Sequence, residues 1–338
     1  MPAFRSATVT ELLAERAGLQ RVDTEAGRAY VLTQLTGPVG VGDRVVLNTT
    51  AVDLGLGTGG WHVVHWNLAR EGWAEAGPGH IVKLRYTSLQ VDTGAAEEHH
   101  PDLPTDLAGL PVVACSLHSQ IAPVAVAVLA ARPAARLVYV MTDGAALPLA
   151  LSDLVAAMVD GGVLDATITA GHAFGGDLEA VSVASALALA RHVLEADVVI
   201  AAMGPGVVGT GTALGTTSVE VAAILDTAAA LGGQPVAAVR MSGGDARPRH
   251  QGVSHHTRTA LALTRSRVLV ASPHADALAD ERHDVRVVAP VPVAELLSDA
   301  GLRVTTMGRG PEEDLPFFEA AAAAGTLAAA IMPHPPSG

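Results

Sequence analysis

Groups able to do acid–base, metal or anion chemistry recur in this chain just after short apolar runs. They are His118-Ser119, Thr142-Asp143-Gly144, the stretch Gly171-His172 to Gly176-Asp177, the loop Gly204–Gly215, Ser242 to Asp245, Ser272 to His274, and Gly308-Arg309-Gly310. His172 has no evident structural duty, and imidazole titrates near neutral pH, so it is a candidate general acid–base. Asp143 is placed to orient a histidine or hold a metal, although Asp-Gly is also an ordinary turn. Asp177 is either a partner for His172 or the cap of a following helix, Leu178–Glu195.

The segment Ser242–Thr257 is too long for an ordinary strand-to-helix connection, which favours a binding loop. It carries Asp245, Arg247, Arg249, His250, Ser254, His255 and His256. Arginines there suit a phosphate or carboxylate. His255 is a second acid–base candidate, and Ser242 and Arg249 are ligand-binding candidates. Asp245, His250 and His255 form a weaker metal candidate, without His-Glu-x-x-His spacing.

Between Val198–Met203 and a helix opened by Thr217-Ser218-Val219-Glu220 lies the glycine-threonine loop. Gly204-x-Gly206-x-x-Gly209 matches the dinucleotide fingerprint formally. A capping box from Thr217 to Glu220 would put the helix start near Ser218, well beyond Gly209, and no acid ends the next strand. Gly206-x-x-x-x-Gly211-Thr212 lacks the lysine of a phosphate loop. What remains is a loop with free N–H groups before a helix N-terminus, a place for an anion. Gly204, Gly206, Gly209, Thr210, Gly211, Thr212 and His118 are the ligand-binding candidates there. No cofactor can be named.

These groups must be held by a frame. From Pro111 onward, Val/Ile/Ala runs alternate with helical stretches: Val112–Leu117, Leu137–Met141, Ala166–Ala170, Val198–Met203, Val236–Met241, Val268–Ala271, Val285–Ala289 and Arg303–Thr306. Short continuous Val/Ile/Ala runs read as parallel strands buried on both faces. The expected fold class is therefore α/β, a mainly parallel layered sheet with helices on both faces, with a closed barrel as second choice. Helices are expected at Pro123–Ala131, Leu149–Val159, Leu178–Glu195, Ser218–Leu231, Thr257–Arg265, Ala275–Arg282, Val293–Asp299 and Pro316–Ala330. Residues 1–92 read instead as a small antiparallel β-barrel-like domain, with runs at 29–33, 42–47, 61–66 and 81–86; residues 93–110 read as a linker, and 111–338 as the α/β domain. All the loops singled out above follow strands, so they share the carboxyl edge of the sheet, where open parallel sheets bind ligands.

Composition closes off several classes. The chain has 338 residues and a formal net charge of −13, which argues against nucleic acid as a partner. Cys115 is the only cysteine, so disulfides and cysteine-based zinc sites are out, and a cytoplasmic setting fits. No stretch is apolar for long enough to span a bilayer. No Gly-x-Ser-x-Gly elbow occurs. A Cys115–His118 thiolate pair is the remaining nucleophile idea. The Ala-rich stretch Phe317–Met332 reads as a packing or homodimer helix.

Several stretches together carry a resemblance: Asn48 to Gly60, Lys83 to Gln90, Met141 to Pro148, Ala173 to Ala180, Gly204-Pro-Gly206 and Arg249 to His256. Over nearly its whole length the chain resembles a mainly actinobacterial domain-of-unknown-function family, catalogue number 3866. The resemblance implies a cytoplasmic bacterial protein and brings no activity with it. The reading from the residues is a protein that binds, and as an enzyme would transform, a small anionic or phosphorylated metabolite. A non-catalytic sensor or assembly module, and a metal-dependent enzyme using residues 245–256, are the alternatives.

Overall fold

A computed structural model describes residues 1–274, 278 and 281–333. The chain divides into two compact units, Met1–Gly94 and Ala95–Gly338.

The first unit is built on a closed barrel. Its strands are β1 (Phe4–Arg16), β2 (Leu19–Thr24), β3 (Ala29–Leu32), β4 (Arg44–Asn48) and β5 (His62–Asn67), with short helices α1 (Thr33–Thr36) and α2 (Thr50–Asp53) in the connections. The order around the barrel is β1-β2-β3-β5-β4, and β4 closes back on β1. Every pairing is antiparallel except β3 with β5. Alternate residues such as Val22, Ala29, Val31, Val45, Leu47 and Val64 fill the interior. β1 and β2 have no counterpart in the sequence reading, because the outer face of β1 is polar and hides its alternation. The run expected at 81–86 contributes only β6 (Val82–Lys83), which pairs with β7 (Val91–Asp92) apart from the barrel.

The second unit is an open, wholly parallel sheet. Its strands are β8 (Pro111–Cys115), β9 (Leu137–Thr142), β10 (Ala166–Ala170), β11 (Leu178–Ala180), β12 (Val198–Met203), β13 (Gln234–Ala238), β16 (Leu269–Ser272) and β17 (Asp284–Val287); β14 (Met241–Ser242) and β15 (Gly252–Val253) form a separate antiparallel pair. The spatial order is β11-β10-β9-β12-β8-β13-β16-β17. β8, β9, β10 and β12 are buried at every position, Thr167 and Thr169 of β10 included, as in a parallel sheet covered on both faces. Successive residues face two separate cores. One is shared with α3 (Ile121–Ala131), α4 (Asp153–Asp160), α8 (Val293–Asp299) and α9 (Leu315–Ile331). The other is shared with α5 (Val183–His192), α6 (Glu220–Ala230) and α7 (His255–Leu263).

Four expectations are corrected. Leu178–Glu195 is not one helix: Leu178–Ala180 is an edge strand in register with Ile168–Ala170, and Ser182, accepting the Ser185 N–H, starts α5 afterwards. Leu149–Val159 is a short 3-10 turn followed by α4, whose cap is the Ser152 hydroxyl. β13 stops at Ala238, and Met241 turns away to pair with Val253. Arg303–Thr306 joins no strand; Thr306 makes one isolated bridge, to Arg309. The helix expected at Ala275–Arg282 lies largely outside the described residues. The sheet ends in free edges at β11 and β17, so it is not the closed β/α barrel.

Residues 95–110 pack onto the second unit: Leu107 and Leu110 are fully buried, and the Leu107 N–H donates to the Leu231 carbonyl. α9 is spent inside the chain, with Ala320–Ala324, Ala328 and Ala329 all buried. Among the described residues, no helix is long and apolar enough to cross a membrane.

β8 sends its connection to α3 on one face, and its neighbour β12 sends its own to α6 on the other. That divergence is the topological switch point, beyond which open sheets bind ligands.

Candidate functional site

Between β13 and α7 the chain folds on itself. The β14–β15 pair closes the segment, the Ser254 N–H donates to the Arg240 carbonyl, and the Arg240 N–H donates to the Thr257 hydroxyl. Ser254 caps α7 by accepting the His256 N–H. The apparent long loop is thus a hairpin that aims Arg240, Arg247, Arg249, His250 and His256 at one cavity of about 130 Å³. Val207, Val208, Gly209 and Gly211, from the loop after β12, form the facing wall, and Met307 completes it. At roughly 30 Å³ per water, the cavity holds about four waters' volume, which suits one tetrahedral oxyanion.

Asp245 organises the arginines. Its carboxylate accepts Nε and Nη2 of Arg247 at 2.9 and 2.7 Å, with Arg240 at 3.8 Å and Arg309 at 3.7 Å. The Arg247 bonds hold Asp245 far below the usual carboxylate range, against the opposing effect of burial. Asp314, also buried, accepts the Ser242 hydroxyl at 2.6 Å, the Gly243 and Gly244 N–H groups and Arg309 Nε. Burial pushes its pKa up, and these bonds outweigh it, so Asp314 stays ionised. Three guanidiniums therefore meet two carboxylates, and Arg249, which also lines the cavity, adds a further positive charge. Burial, then Arg247, lowers Arg240 to about 10, with Asp245 partly restoring it.

The three histidines stand ring to ring, with centroids 4.3 to 5.0 Å apart. All are held neutral. Burial and the Arg240 charge lower His250 to about 3 and His256 to about 4, and burial with Arg249 lowers His255. Their ligand atoms lie within 4.8 Å of one another, which meets the distance condition for a metal. The expected metal set is thereby changed: His256 joins His250 and His255, and Asp245 is taken by arginine. Arg240 Nη1 lies 3.1 Å from His256 Nδ1, and a guanidinium can only donate. His256 Nε2 therefore carries the ring proton and offers a hydrogen bond in place of a lone pair.

The other sequence candidates fall in separate places. Gly209 and Gly211 line the cavity, and Gly211, at φ +86, packs against the Arg249 guanidinium. Gly204 is a glycine because a side chain would collide with the Ala146 carbonyl. Gly206 adopts φ +98 in the turn. Thr210 and Thr212 bond to each other and to Gly215, locking the loop from within. The helix after the loop is capped by Thr216, which accepts the Ser218 N–H, and not by the expected Thr217–Glu220 box. None of those capping residues lines the cavity, so its positive field comes from arginines.

His118 is committed to the fold. Its Nδ1 donates to the Met203 carbonyl at 3.1 Å and its Nε2 accepts the Ser152 hydroxyl at 2.7 Å. Burial lowers its pKa to about 4, with the Met203 carbonyl acting in the opposite sense. Cys115 is fully buried and its thiol is pushed far up by burial, so no thiolate pair forms with His118. Asp177 caps no helix; it accepts the Thr167 N–H and hydroxyl, both at 2.8 Å, and pins the turn beside β10. Asp143 accepts the backbone N–H of His172 at 3.0 Å. Beside it Glu220 accepts the Thr142 hydroxyl at 2.8 Å and is raised to about 7, by burial first and by the Asp143 charge.

Sequence reasoning passed over Arg240, Met307 and Asp314, and gave Glu220 only a capping role. Arg240 had a usable signal, since a lone arginine closing an apolar run marks a charge entering the sheet edge. Met307 and Asp314 had none, because they lie far along the chain from the loops they join.

Together these features define an open α/β protein with an arginine–histidine cavity beyond the carboxyl edge of its sheet. Residues 28–325 match the family model described as Protein of unknown function (DUF3866), and the chain belongs to that family. No curated protein and no solved structure matches it.

Proposed function

We propose that this protein binds a small oxyanion, the phosphate or carboxylate end of a metabolite, in the cavity between the 207–211 loop and the 240–256 hairpin. Arg249 carries the reading. Its guanidinium is exposed at the cavity and, among the described residues, makes no hydrogen bond or ion pair, although an arginine forms such bonds readily. The buried Arg240 and the donor Nε2–H of His256 supply the inner contacts, and Arg247 is held in place by Asp245. His255 carries the acid–base role in this reading: its Nε2 is buried without a hydrogen-bond partner, against the His256 ring.

The test is calorimetric titration of inorganic phosphate into the protein at pH 7 and pH 5.5. One site is expected at pH 7; at pH 5.5 two effects oppose each other, since a bound anion raises the basicity of histidines that burial and the arginines depress, while phosphate itself gains a proton and loses charge. Absence of heat and of thermal stabilisation at 10 mM phosphate, roughly a weak-metabolite concentration, would exclude the reading.

A metal-dependent activity has one observation behind it, the approach of His250, His255 and His256. The Arg240 bond to His256 Nδ1 and the excess of guanidinium charge favour the anion instead. Elemental analysis of the purified protein separates the two: a stoichiometric transition metal supports the metal site.

A further inference from the structure

The cavity has a polar end and an apolar lip. Arg240, His250 and His256, 1 to 5% exposed, form the floor. Val208 and Met307, 59% and 58% exposed, also line the cavity, so they stand where it opens. A space of about 130 Å³ takes the anionic group alone, and whatever is attached to it must leave between those side chains.

Met307 is held there against its own backbone preference. Thr306 and Arg309 exchange both backbone hydrogen bonds, at 2.8 and 3.0 Å, around Met307 at φ +50 and Gly308 at φ +82. Positive φ at both central residues is a type I′ turn, whose first central position favours Asn, Asp or Gly. A methionine there is strained, and its exposed side chain gains no core packing in return. The turn is also anchored to the site: Arg309, its last residue, reaches Asp245 at 3.7 Å and Asp314 at 3.1 Å. The arginine network that shapes the floor thus fixes the position of the lip.

Resting on the anion reading above, we infer that Met307 with Val208 sets specificity, and that the ligand class is a phosphate monoester whose ester carbon bears an apolar group. A polyhydroxylated group leaving through this lip would lose water against Val208 and Met307 without hydrogen bonds in exchange. An aryl or alkyl group would bury apolar surface instead.

The experiment compares dissociation constants of phenyl phosphate, glucose 6-phosphate and inorganic phosphate for the full chain by calorimetry. Wild type is expected to hold phenyl phosphate about tenfold tighter than glucose 6-phosphate. In Met307→Asn that ratio should fall to about twofold or less, while the melting temperature does not drop, since Asn tolerates positive φ. Val208→Ser, changed at the other apolar side chain of the lip, provides the same ratio should Met307→Asn misfold. Inorganic phosphate bound with no wild-type preference between the esters overturns the specificity inference and leaves the anion reading standing. A preference that survives in both variants overturns it too. Failure of all three phosphates to bind overturns the anion reading itself, and this inference with it.

Discussion

Arg240 Nη1 donates to His256 Nδ1 across 3.1 Å, and this one bond fixes what the cavity can do. It sets the His256 tautomer with the proton on Nε2, and it places a fixed positive charge beside the ring. Nitrogen-15 NMR is expected to show His256 as the neutral Nε2–H tautomer at pH 7, titrating near pH 4. Arg240→Met should raise its pKa only part of the way toward 6.5, because burial is the larger cause of the shift, and should permit either tautomer. A Nδ1–H tautomer in the wild type would remove the case against a metal ligand.

Stability should fall in acid, and the sign follows from the histidines. His118, His250, His255 and His256 all have folded pKa values below the ordinary 6.5. Below pH 6.5 the unfolded chain binds protons that the folded chain refuses, so stability drops as pH falls from about 6.5 to about 3 or 4. Glu220 acts oppositely. Raised to about 7, it keeps its proton in the folded state between pH 7 and 4.5, which favours folding as pH falls through that range. Melting temperatures across pH 8 to 4 should therefore decline, and more steeply in Glu220→Gln, which lacks the opposing group. A Glu220→Gln curve parallel to wild type would show that Glu220 is ionised throughout.

The sheet was legible because its strands are buried on both faces. Ala166–Ala170 and Val198–Met203 have the bounds their Ile/Val/Ala runs suggest. Leu178–Ala180 was not, because a three-residue edge strand containing Glu179 has no period to read; it is held by register with β10 and by the Thr169–Glu179 side-chain bond. Arg303–Thr306 has strand composition and no neighbour to pair with, which composition cannot reveal. The cavity lining was legible in part: Gly209, Gly211 and Arg249 stood out by type and loop position. Their meeting depends on β8 lying between β12 and β13, and strand order is a matter of topology. His118 and Asp177 are the converse. Both are reactive residue types at strand ends, and both are used up by hydrogen bonds to the neighbouring backbone.

Arg249→Ala should separate binding from folding. The side chain is exposed and bonds to nothing among the described residues, so stability should change by no more than about 0.5 kcal/mol. Phosphate affinity should fall by about ten- to a hundredfold, the loss of one or two charge-assisted bonds at roughly 1.5–3 kcal/mol. Denaturant melts and calorimetry on the same sample check both. Arg249→Lys should recover only part of the affinity, since a point charge cannot make the paired bonds of a guanidinium. An unchanged phosphate affinity in Arg249→Ala would remove Arg249 from the site.

The pairing of α3 with α9 offers a prediction independent of any ligand. α9 runs Phe-Phe-Glu-Ala-Ala-Ala-Ala-Ala-Gly from Phe317, and Gly325 meets α3 where a side chain would strike the Val124 carbonyl and come within 3.1 Å of Ala127 Cβ. Small residues here set the helix separation, and a backbone carbonyl cannot move aside as a flexible side chain can. In an exposed helix a glycine-to-alanine change would stabilise by up to about 1 kcal/mol through propensity. At Gly325 overpacking should dominate, with a net loss of about 1–3 kcal/mol and a melting temperature lower by roughly 2–4 °C per kcal/mol. Phosphate affinity of the folded fraction should stay as in wild type, because neither helix lines the cavity. A Gly325→Ala protein as stable as wild type would mean that α9 can withdraw from α3 without cost, and that the tight contact does not hold the sheet's cover in place.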